Sequence, residues 1–318
     1  MKRNRSSRRG FLQVSAAALG AAACGRPLIL LGGEAGSTAA NSKLNLAVVG
    51  CGGQGRGVMR GLLSRGANLT ALCDPDPGQI DSARADALKS GGEATKGAKA
   101  YEDYRKLVDD ASRFDAVLIG TPDHWHAPLC KAFMKIGKHV YCEKPLTHSV
   151  AEARELRELS RTSKVVTQLG NQGSASASLR RCTEVIKANA LGQIREIYEW
   201  GIGVNASEGS AEGEDPLPPG FNWDLWVGPS ALRPFKKDVY HPFRWRNWFD
   251  FGNGGLADIG CHTINLPMRA LDLDYPEKIV VNIQDGKQLD GKAAVEFHFA
   301  ARGNFVPVRL HWQGNGTP

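Results

Sequence analysis

Short, uniformly apolar runs alternate with helical patterns over the first half of the chain after residue 44. Such runs are typical of strands that are buried on both faces of a sheet. The predicted strands are residues 45–50, 69–73, 114–120, 139–142 and 165–167, and the predicted helices are residues 58–63, 79–89, 128–135 and 150–161. This alternation with short connections predicts an α/β fold, a doubly wound parallel sheet of the Rossmann type.

The pattern changes after about residue 170. A helix, a long strand, a Gly/Glu/Pro-rich loop, an aromatic-dense stretch and three half-exposed strands follow, at residues 178–187, 193–203, 207–220, 221–251, 277–282, 293–299 and 306–312. They predict an α+β domain with an open, mostly antiparallel sheet. We expect an export signal over residues 1–40 and domains over 41–167 and 168–318. Because the sequence ends just after a predicted strand, we expect the second domain to be incomplete.

The first forty residues are interpreted as an export signal. Residues 7–12, Ser-Arg-Arg-Gly-Phe-Leu, resemble the twin-arginine export motif, and an Ala-rich apolar stretch covers residues 14–31. A transmembrane helix is the alternative, but Gly20, Cys24 and Pro27 interrupt this stretch, which favours a signal peptide. We therefore expect export to the periplasm or beyond by the twin-arginine machinery. Lipid anchoring at Cys24 is a weaker alternative, because no Leu stands three residues before it.

Charge and cysteine usage argue against two other kinds of site. Much of the formal net charge of +7 comes from the first nine residues, and no basic stripe interleaved with aromatics follows, so we expect no nucleic-acid partner. None of the 7 cysteines forms a Cys-x-x-Cys pair, so we expect no metal site. Twin-arginine substrates fold in a reducing cytoplasm, and we accordingly expect no structural disulfide.

A glycine-rich turn follows the first predicted strand. Gly50-Cys51-Gly52-Gly53-Gln54-Gly55 fits the pattern G-x-G-x-x-G between a buried strand and a helix. There Gly50 allows a tight turn, Gly52 lets backbone N–H groups approach a pyrophosphate, and Gly55 allows close helix packing. Asp74, after the next strand, suits a ribose hydroxyl pair and repels a 2′-phosphate. The turn predicts a site for NAD rather than NADP; the alternative is a plain flexible loop.

Glu143-Lys144-Pro145 follows another predicted strand. A residue before proline adopts extended geometry, which projects Lys144 from the carboxyl edge of a parallel sheet. An ammonium group there stabilises the alkoxide of a substrate hydroxyl. A surface ion pair between Glu143 and Lys144 is the alternative, and the tripeptide alone does not decide between them.

Asp258 and His262 lie four residues apart after a glycine pair. If this segment begins a helix, the two side chains share one face. Histidine is the natural general base near neutral pH, and a carboxylate nearby orients it and adjusts its pKa. A purely structural histidine is the alternative.

These three motifs, in this order and spacing, resemble the Gfo/Idh/MocA family of sugar and polyol dehydrogenases over about residues 43–312. The resemblance implies that Lys144, Asp258 and His262 form the catalytic group. It also implies that Thr121, Pro122 and His126, in the turn after the third long strand, border the nicotinamide together with Glu143. Members place the site between a Rossmann domain and a sheet domain, and the resemblance implies a homo-oligomer formed through that sheet.

Further residues are candidates for binding the substrate. Asn171 and Gln172 follow the last strand of the first domain, and we expect them to face the predicted cleft. Aromatic and polar residues alternate over residues 240–250, which include Arg244, Trp245 and Arg246. Sugars stack on aromatic faces and bond to Arg and Asn, so this stretch is a candidate carbohydrate wall. An ordinary core-and-surface segment is the alternative.

Export limits how such an enzyme works, because the periplasm has no NAD pool to exchange with. The leading hypothesis is an NAD-dependent oxidoreductase that acts on a sugar, polyol or sugar derivative with a tightly bound, recycled cofactor. The first alternative is an NAD-dependent glycosidase, in which transient oxidation at C3 acidifies C2–H and permits elimination. The second is a non-catalytic sugar-binding protein on the same scaffold.

Overall fold

The computed structural model describes residues 43–201, 209–282 and 294–314; the predicted signal with Cys24 lies outside them. Among the described residues, six parallel strands form the first sheet: β1 (Asn45–Val49), β2 (Asn68–Cys73), β3 (Lys99–Tyr101), β4 (Ala116–Ile119), β5 (His139–Glu143) and β6 (Thr167–Gly170). Their spatial order is β3-β2-β1-β4-β5-β6. The predicted Rossmann-type sheet is confirmed.

Helices cover both faces of this sheet. They are α1 (Gly53–Leu63), α2 (Pro77–Gly91), α3 (Tyr104–Asp109), α4 (His126–Lys135) and α5 (Val150–Thr162), with 3-10 turns at Gly92–Gly97, Ala111–Arg113 and Asp123–Trp125. Ala47 and Val49 of β1 belong to the core on one face, and Leu46 and Val48 to the core on the other. Because successive strand residues point to opposite faces, a strand covered on both sides must be apolar throughout.

Two strands of the first sheet differ from the prediction. The last strand was expected over residues 165–167, but β6 spans Thr167–Gly170, where Thr167 pairs with Val140 and Gly170 with Glu143. Val166, the apolar residue that suggested the earlier position, is 68% exposed. β3 was not predicted, because its sequence Lys-Ala-Tyr contains no apolar run. In both cases the pairing partner, rather than local hydrophobicity, decides the strand.

The second sheet contains β7 (Glu196–Gly201), β8 (Lys278–Asn282), β9 (Ala294–Phe299) and β10 (Val308–Gly314), in the order β7-β10-β9-β8. β10 pairs parallel with β7 and antiparallel with β9, and β8 pairs antiparallel with β9. The helices of this half are α6 (Ala177–Lys187), α7 (Trp223–Val227), α8 (Gly254–Thr263) and α9 (Asn265–Ala270), with a 3-10 turn at Arg244–Asn247. The α+β architecture is confirmed. β7 begins three residues after the predicted start at residue 193, and the last two residues of that predicted strand, 202 and 203, lie outside the described residues.

Residues 220–253, here called the aromatic segment, form a core of their own. Its buried side chains are Phe221, Trp223, Trp226, Val227, Phe235, Tyr240, Trp245 and Phe251. The rings of Trp223 and Trp226 stack with centroids 4.8 Å apart, and Tyr240 is fully buried. Part of the stretch predicted as a carbohydrate wall is therefore packed core, which agrees with the alternative of an ordinary core-and-surface segment.

Tyr198 and Trp200 are more than half exposed on β7. Ile197, the residue directly before Tyr198, packs into the core of the second sheet, and because side chains alternate along a strand, both aromatics lie on the opposite face. The expected homo-oligomer through this sheet stays a prediction. No helix in the described part of the chain is long and apolar enough to cross a membrane.

Candidate functional site

A cleft of about 550 Å³ follows the carboxyl edge of the parallel sheet, where ligands bind in such folds. Residues after the strands line one wall in the spatial order of the strands: Asp74 after β2, Gly50 after β1, Thr121 after β4 and Lys144 after β5. The other wall consists largely of the aromatic segment. We call the Asp74 end of this cleft its outer end and the Lys144 end its inner end.

The glycine turn forms the floor between β1 and α1. Gly50 has a φ of +84°, and a Cβ there would lie 2.6 Å from the backbone of Gly120. A Cβ on Gly55 would lie 2.1 Å from the carbonyl oxygen of Gly50, so α1 packs against the turn more closely than a side chain allows. A Cβ on Gly52 would meet nothing within 4 Å. The first N–H groups of α1, which have no intrahelical partner, begin at this open surface.

Asp74 connects the glycine turn to the end of β2. Its carboxylate accepts hydrogen bonds from the backbone N–H of Cys51 at 2.8 Å and of Asp76 at 2.9 Å. Burial raises the pKa of Asp74 to about 6, although both backbone donors oppose that rise. The side chain is thus held by the backbone at the position where the sequence placed a ribose partner.

Lys144 and Asp258 meet at the inner end. Lys144 Nζ forms an ion pair with the Asp258 carboxylate and donates to the Asp258 carbonyl oxygen at 3.0 Å. The two side chains are only 14% and 15% exposed. Asp258 lies on α8, and His262, one turn later on the same helix, lines the cleft. Of the three residues predicted to be catalytic, Lys144 and His262 therefore line the inner end of the cleft, and Asp258 does not line it but contacts Lys144 there.

Two buried polar atoms of cleft-lining residues, Thr121 Oγ1 and Glu143 Oε1, have no hydrogen-bond partner among the described residues. Gln172 donates to the other oxygen of Glu143 at 2.8 Å. Buried acceptors without partners cost free energy, and hydroxyl or amide groups of a bound molecule remove that cost. With the open glycine floor and Asp74, these atoms fit a dinucleotide such as NAD.

His124 and His126 lie behind the cleft wall. The ring nitrogens of His126 contact the carbonyl oxygens of Pro145 at 2.6 Å and Thr121 at 2.9 Å, and His126 does not line the cleft. Burial lowers the pKa of His126, and it lowers the pKa of His124 to about 3. His126 thus positions the cofactor-side segments rather than facing the cleft. Within the described residues, no group of three or more His, Cys, Asp and Glu side chains is placed to hold a metal ion.

The structure separates the five candidate substrate residues. Gln172, Trp245 and Arg246 line the cleft, whereas Asn171 and Arg244 do not. Asn171 donates to the Cys261 carbonyl oxygen at 2.7 Å, and Arg244 is exposed. The sequence pattern identified the stretch but not which of its side chains face inward.

Asp123 lines the cleft and was not among the sequence candidates. It is 2% exposed, and one of its oxygens accepts a hydrogen bond from the Asn253 backbone N–H at 3.2 Å. Burial and then the nearby Asp258 carboxylate raise the pKa of Asp123 to about 7, while Arg246 and Lys144 oppose the rise. Its position directly after the Thr121-Pro122 strand end was the available signal, because such residues face the carboxyl edge of the sheet.

Two models of one family match the chain. The Gfo/Idh/MocA model described as an oxidoreductase family with an NAD-binding Rossmann fold matches residues 44–171. The model of the family's C-terminal alpha/beta domain matches residues 197–299.

The chain is also similar to individual proteins. It is 31% identical over 153 residues to inositol 2-dehydrogenase 2 of Saccharopolyspora erythraea, which is 47% of this chain and 42% of that protein. It is 32% identical over 165 residues to a glycosyl hydrolase family 109 protein of Shewanella amazonensis, covering 47% of this chain and 35% of that protein. The matched part of this chain spans less than half the length of either relative.

Solved structures share the fold. The WlbA dehydrogenase from Bordetella pertussis, in complex with NADH and UDP-GlcNAcA, superimposes with a TM-score of 0.61 at 15% identity, covering 85% of this chain and 69% of that chain. The fold, the glycine turn and both family models indicate the same family. The chain belongs to the Gfo/Idh/MocA family of oxidoreductases, and its residues 44–171 are the NAD-binding Rossmann domain of that family.

Proposed function

We propose that the protein is an NAD-dependent oxidoreductase that transfers a hydride between the cofactor and a CH–OH group of a sugar, polyol or sugar derivative. One observation carries the proposal: Lys144, which is paired with Asp258, and His262 line a single cleft together with the glycine turn and Asp74. The cofactor site and the proton-handling groups thus open onto the same space. The relative named inositol 2-dehydrogenase 2 supports the substrate class.

When bound, the nicotinamide supplies the hydride acceptor or donor. His262 accepts the proton of the substrate hydroxyl as the hydride leaves, and Lys144 donates an N–H to the developing alkoxide. Asp258 holds Lys144 Nζ through both its carboxylate and its carbonyl oxygen, which fixes the direction of the one remaining N–H donor. In the reverse direction the same groups return the proton.

A panel of sugars, polyols and sugar acids, followed by NADH absorbance, tests the proposal. We expect Lys144→Met and His262→Asn each to lower kcat by about a hundredfold or more, the usual contribution of a positioned acid–base group. Lys131→Met is the matched control, because Lys131 forms an exposed pair with Glu155 outside the cleft. A Lys144→Met variant with unchanged kcat would contradict the mechanism. If the wild type itself binds sugars but turns none of them over, the result favours the non-catalytic alternative.

Asp123 favours a second candidate, an NAD-dependent glycosidase. The C3 hydride passes to NAD⁺ while a base takes the C3 hydroxyl proton, and the resulting ketone acidifies C2–H. A base removes the C2 proton as the C1 substituent leaves with a proton. Water then adds its hydroxyl at C1, a proton returns to C2, and the hydride and a proton return to C3 and its oxygen. A buried carboxyl with a pKa near 7 suits the C2 proton step, which simple oxidation does not require. The relative named as a glycosyl hydrolase family 109 protein supports this reading.

Aryl glycosides separate the two candidates. The glycosidase releases the aryl alcohol without net NADH and exchanges deuterium from D₂O into C2 of the product. Net NADH formation without aryl alcohol release assigns the chain to the oxidoreductase. In the glycosidase case, we expect Asp123→Asn to suppress deuterium exchange at C2 while hydride transfer at C3 persists.

We further propose that the protein is exported by the twin-arginine route with its NAD already bound and retained. Arg8 and Arg9 and the Ala-rich stretch after them support the route. Retention follows from the chemistry, since a compartment without an NAD pool cannot replace a released cofactor. The test is nucleotide content after heat extraction of protein purified from the periplasm. An active preparation without nucleotide would contradict retention.

A further inference from the structure

The aromatic segment lies across the cleft and is attached to the Rossmann domain on both sides of it. Leu225, Trp226, His241, Trp245 and Arg246 of this segment line the wall opposite the glycine turn. A molecule lying along the turn from the outer to the inner end is therefore enclosed between the two walls. The route by which a nucleotide enters and leaves depends on which attachment opens first.

The attachments near β4 and the inner end are numerous and buried. Trp125 Nε1 donates to the Trp226 carbonyl oxygen at 3.0 Å, and the buried His124 contacts that carbonyl and the Phe251 carbonyl. The Asn253 side chain donates to the Thr147 carbonyl at 2.9 Å. Opening here would leave several buried polar groups without partners, which is costly.

Packing makes this part of the attachment tighter still. A Cβ on Gly228 would lie 2.0 Å from the Trp125 ring, so the segment and the ring are in direct backbone contact. His124 lies among the rings of Trp226 and Phe251, with centroids 5.8 Å and 5.1 Å away. The segment is fixed at this position.

The attachment at the outer end is lighter. His241 Nε2 lies 2.7 Å from Asp76 Oδ2, and the Asn222 backbone N–H donates to the Pro75 carbonyl at 3.0 Å. The bond to His241 is the first cause of the lowered pKa of Asp76, which keeps this carboxylate ionised as an acceptor. Asp76 also begins α2, where its other oxygen accepts from the Gly78 N–H at 2.8 Å. The bond therefore joins the segment to a rigid helix start beside Asp74.

We propose that His241 and Asp76 form a latch that holds the aromatic segment over the outer end of the cleft and sets the rate at which NAD enters and leaves. The inference rests on the proposed NAD site and extends the proposed retention to particular residues. His241 lines the cleft, whereas Asp76 does not, so Asp76 acts on the nucleotide through His241. A latch within the protein slows both entry and exit; a direct contact with the nucleotide slows exit alone.

Two variants break the latch with little other change. His241→Phe removes the N–H and keeps a ring beside Phe221, whose centroid lies 4.9 Å from the His241 ring. Asp76→Ser keeps a helix-capping hydroxyl but is too short to reach His241. His298→Phe is the matched control, because His298 Nε2 lies 3.3 Å from Glu296 Oε2 on the second sheet, away from the cleft. Circular dichroism and thermal unfolding check that each variant folds.

The experiment measures NADH fluorescence in the full chain, after mixing nucleotide-free protein with NADH and after chasing bound NADH with excess NAD⁺. We expect His241→Phe and Asp76→Ser each to raise both rate constants by about tenfold, in line with the loss of one charge-assisted hydrogen bond. The double variant should be no faster than either single variant, and His298→Phe should match the wild type.

The outcomes separate the latch from the NAD site itself. If the wild type and His298→Phe bind no NADH, the proposed NAD site and the latch both fail. If they bind NADH and both latch variants, correctly folded, match them in both rate constants, the latch is overturned and the NAD site stands. A faster exit with unchanged entry in His241→Phe, and no effect of Asp76→Ser, also overturns the latch, because it identifies His241 as a direct contact alone.

Discussion

Lys144→Met tests whether the inner end is held by a single buried ion pair. Both partners are about 15% exposed, so removal of the ammonium leaves the Asp258 carboxylate nearly buried without its counter-charge. Breaking such a pair from one side costs about 3 kcal/mol of unfolding free energy. Lys131→Met removes a lysine of similar reach from the more exposed pair with Glu155, whose side chains are 30% and 58% exposed, and should cost less than about 1 kcal/mol.

The assay is urea unfolding followed by tryptophan fluorescence, for Lys144→Met, Asp258→Asn and the double variant, each without nucleotide. Because the double variant contains no unpaired charge, its cost should be smaller than the sum of the two single costs by about 2 kcal/mol. Additive costs, or a Lys144→Met cost equal to that of Lys131→Met, would refute the idea that the pair is coupled and shielded from water.

Three further variants probe the rest of the cleft. Gly55→Ala should weaken NADH binding by about tenfold or more, because its Cβ would lie 2.1 Å from the Gly50 carbonyl oxygen. Gly57→Ala is the control and should bind NADH normally, because only the Arg60 guanidinium lies near its Cβ. Equilibrium fluorescence titration measures both affinities. Asp123→Asn should change the pH dependence of stability. The pKa of Asp123 in the folded protein, about 7, lies above the ordinary aspartate pKa of 3.8. The wild type therefore loses stability through this group as the pH rises between those two values, and the variant does not. The stability of the variant relative to the wild type should therefore rise by about 2 kcal/mol between pH 5 and pH 7 in urea unfolding, and a flat difference would refute the raised pKa. Asp74→Ser should shift the ratio of NAD to NADP affinity towards NADP by about tenfold, and an unchanged ratio would show that the carboxylate does not exclude a 2′-phosphate.

The parallel sheet and its glycine turn were predictable because they depend on local patterns. A strand buried on both faces must be apolar, and a turn with a φ of +84° at Gly50 that also approaches Gly120 needs glycine. The failures had the same origin. β6 lies after the apolar residues that suggested it, and β3 contains no apolar run, because each is a strand by virtue of its neighbour in the sheet.

The candidate site was only partly predictable. Asp258 and His262 were expected to share a helix face, and α8 places them one turn apart. Nothing in residues 240–250 indicated that Trp245 and Arg246 face inward while Arg244 is exposed, because the stretch has no regular period to orient its side chains. Asp123 looked like an ordinary turn residue, and only its burial beside Asp258 gives it a raised pKa.

The sequence by itself determined the α/β alternation of the first domain apart from β3 and the position of β6, the glycine turn and the residue types at the strand ends. These features follow from backbone conformation and hydrophobic periodicity within a few residues. Only the tertiary structure decided which of those residues meet. Lys144 and Asp258 are 114 positions apart, and His241 and Asp76 are 165 apart. Contacts over such distances arise from the way the aromatic segment and α8 pack against the edge of the parallel sheet, and no local pattern encodes that packing.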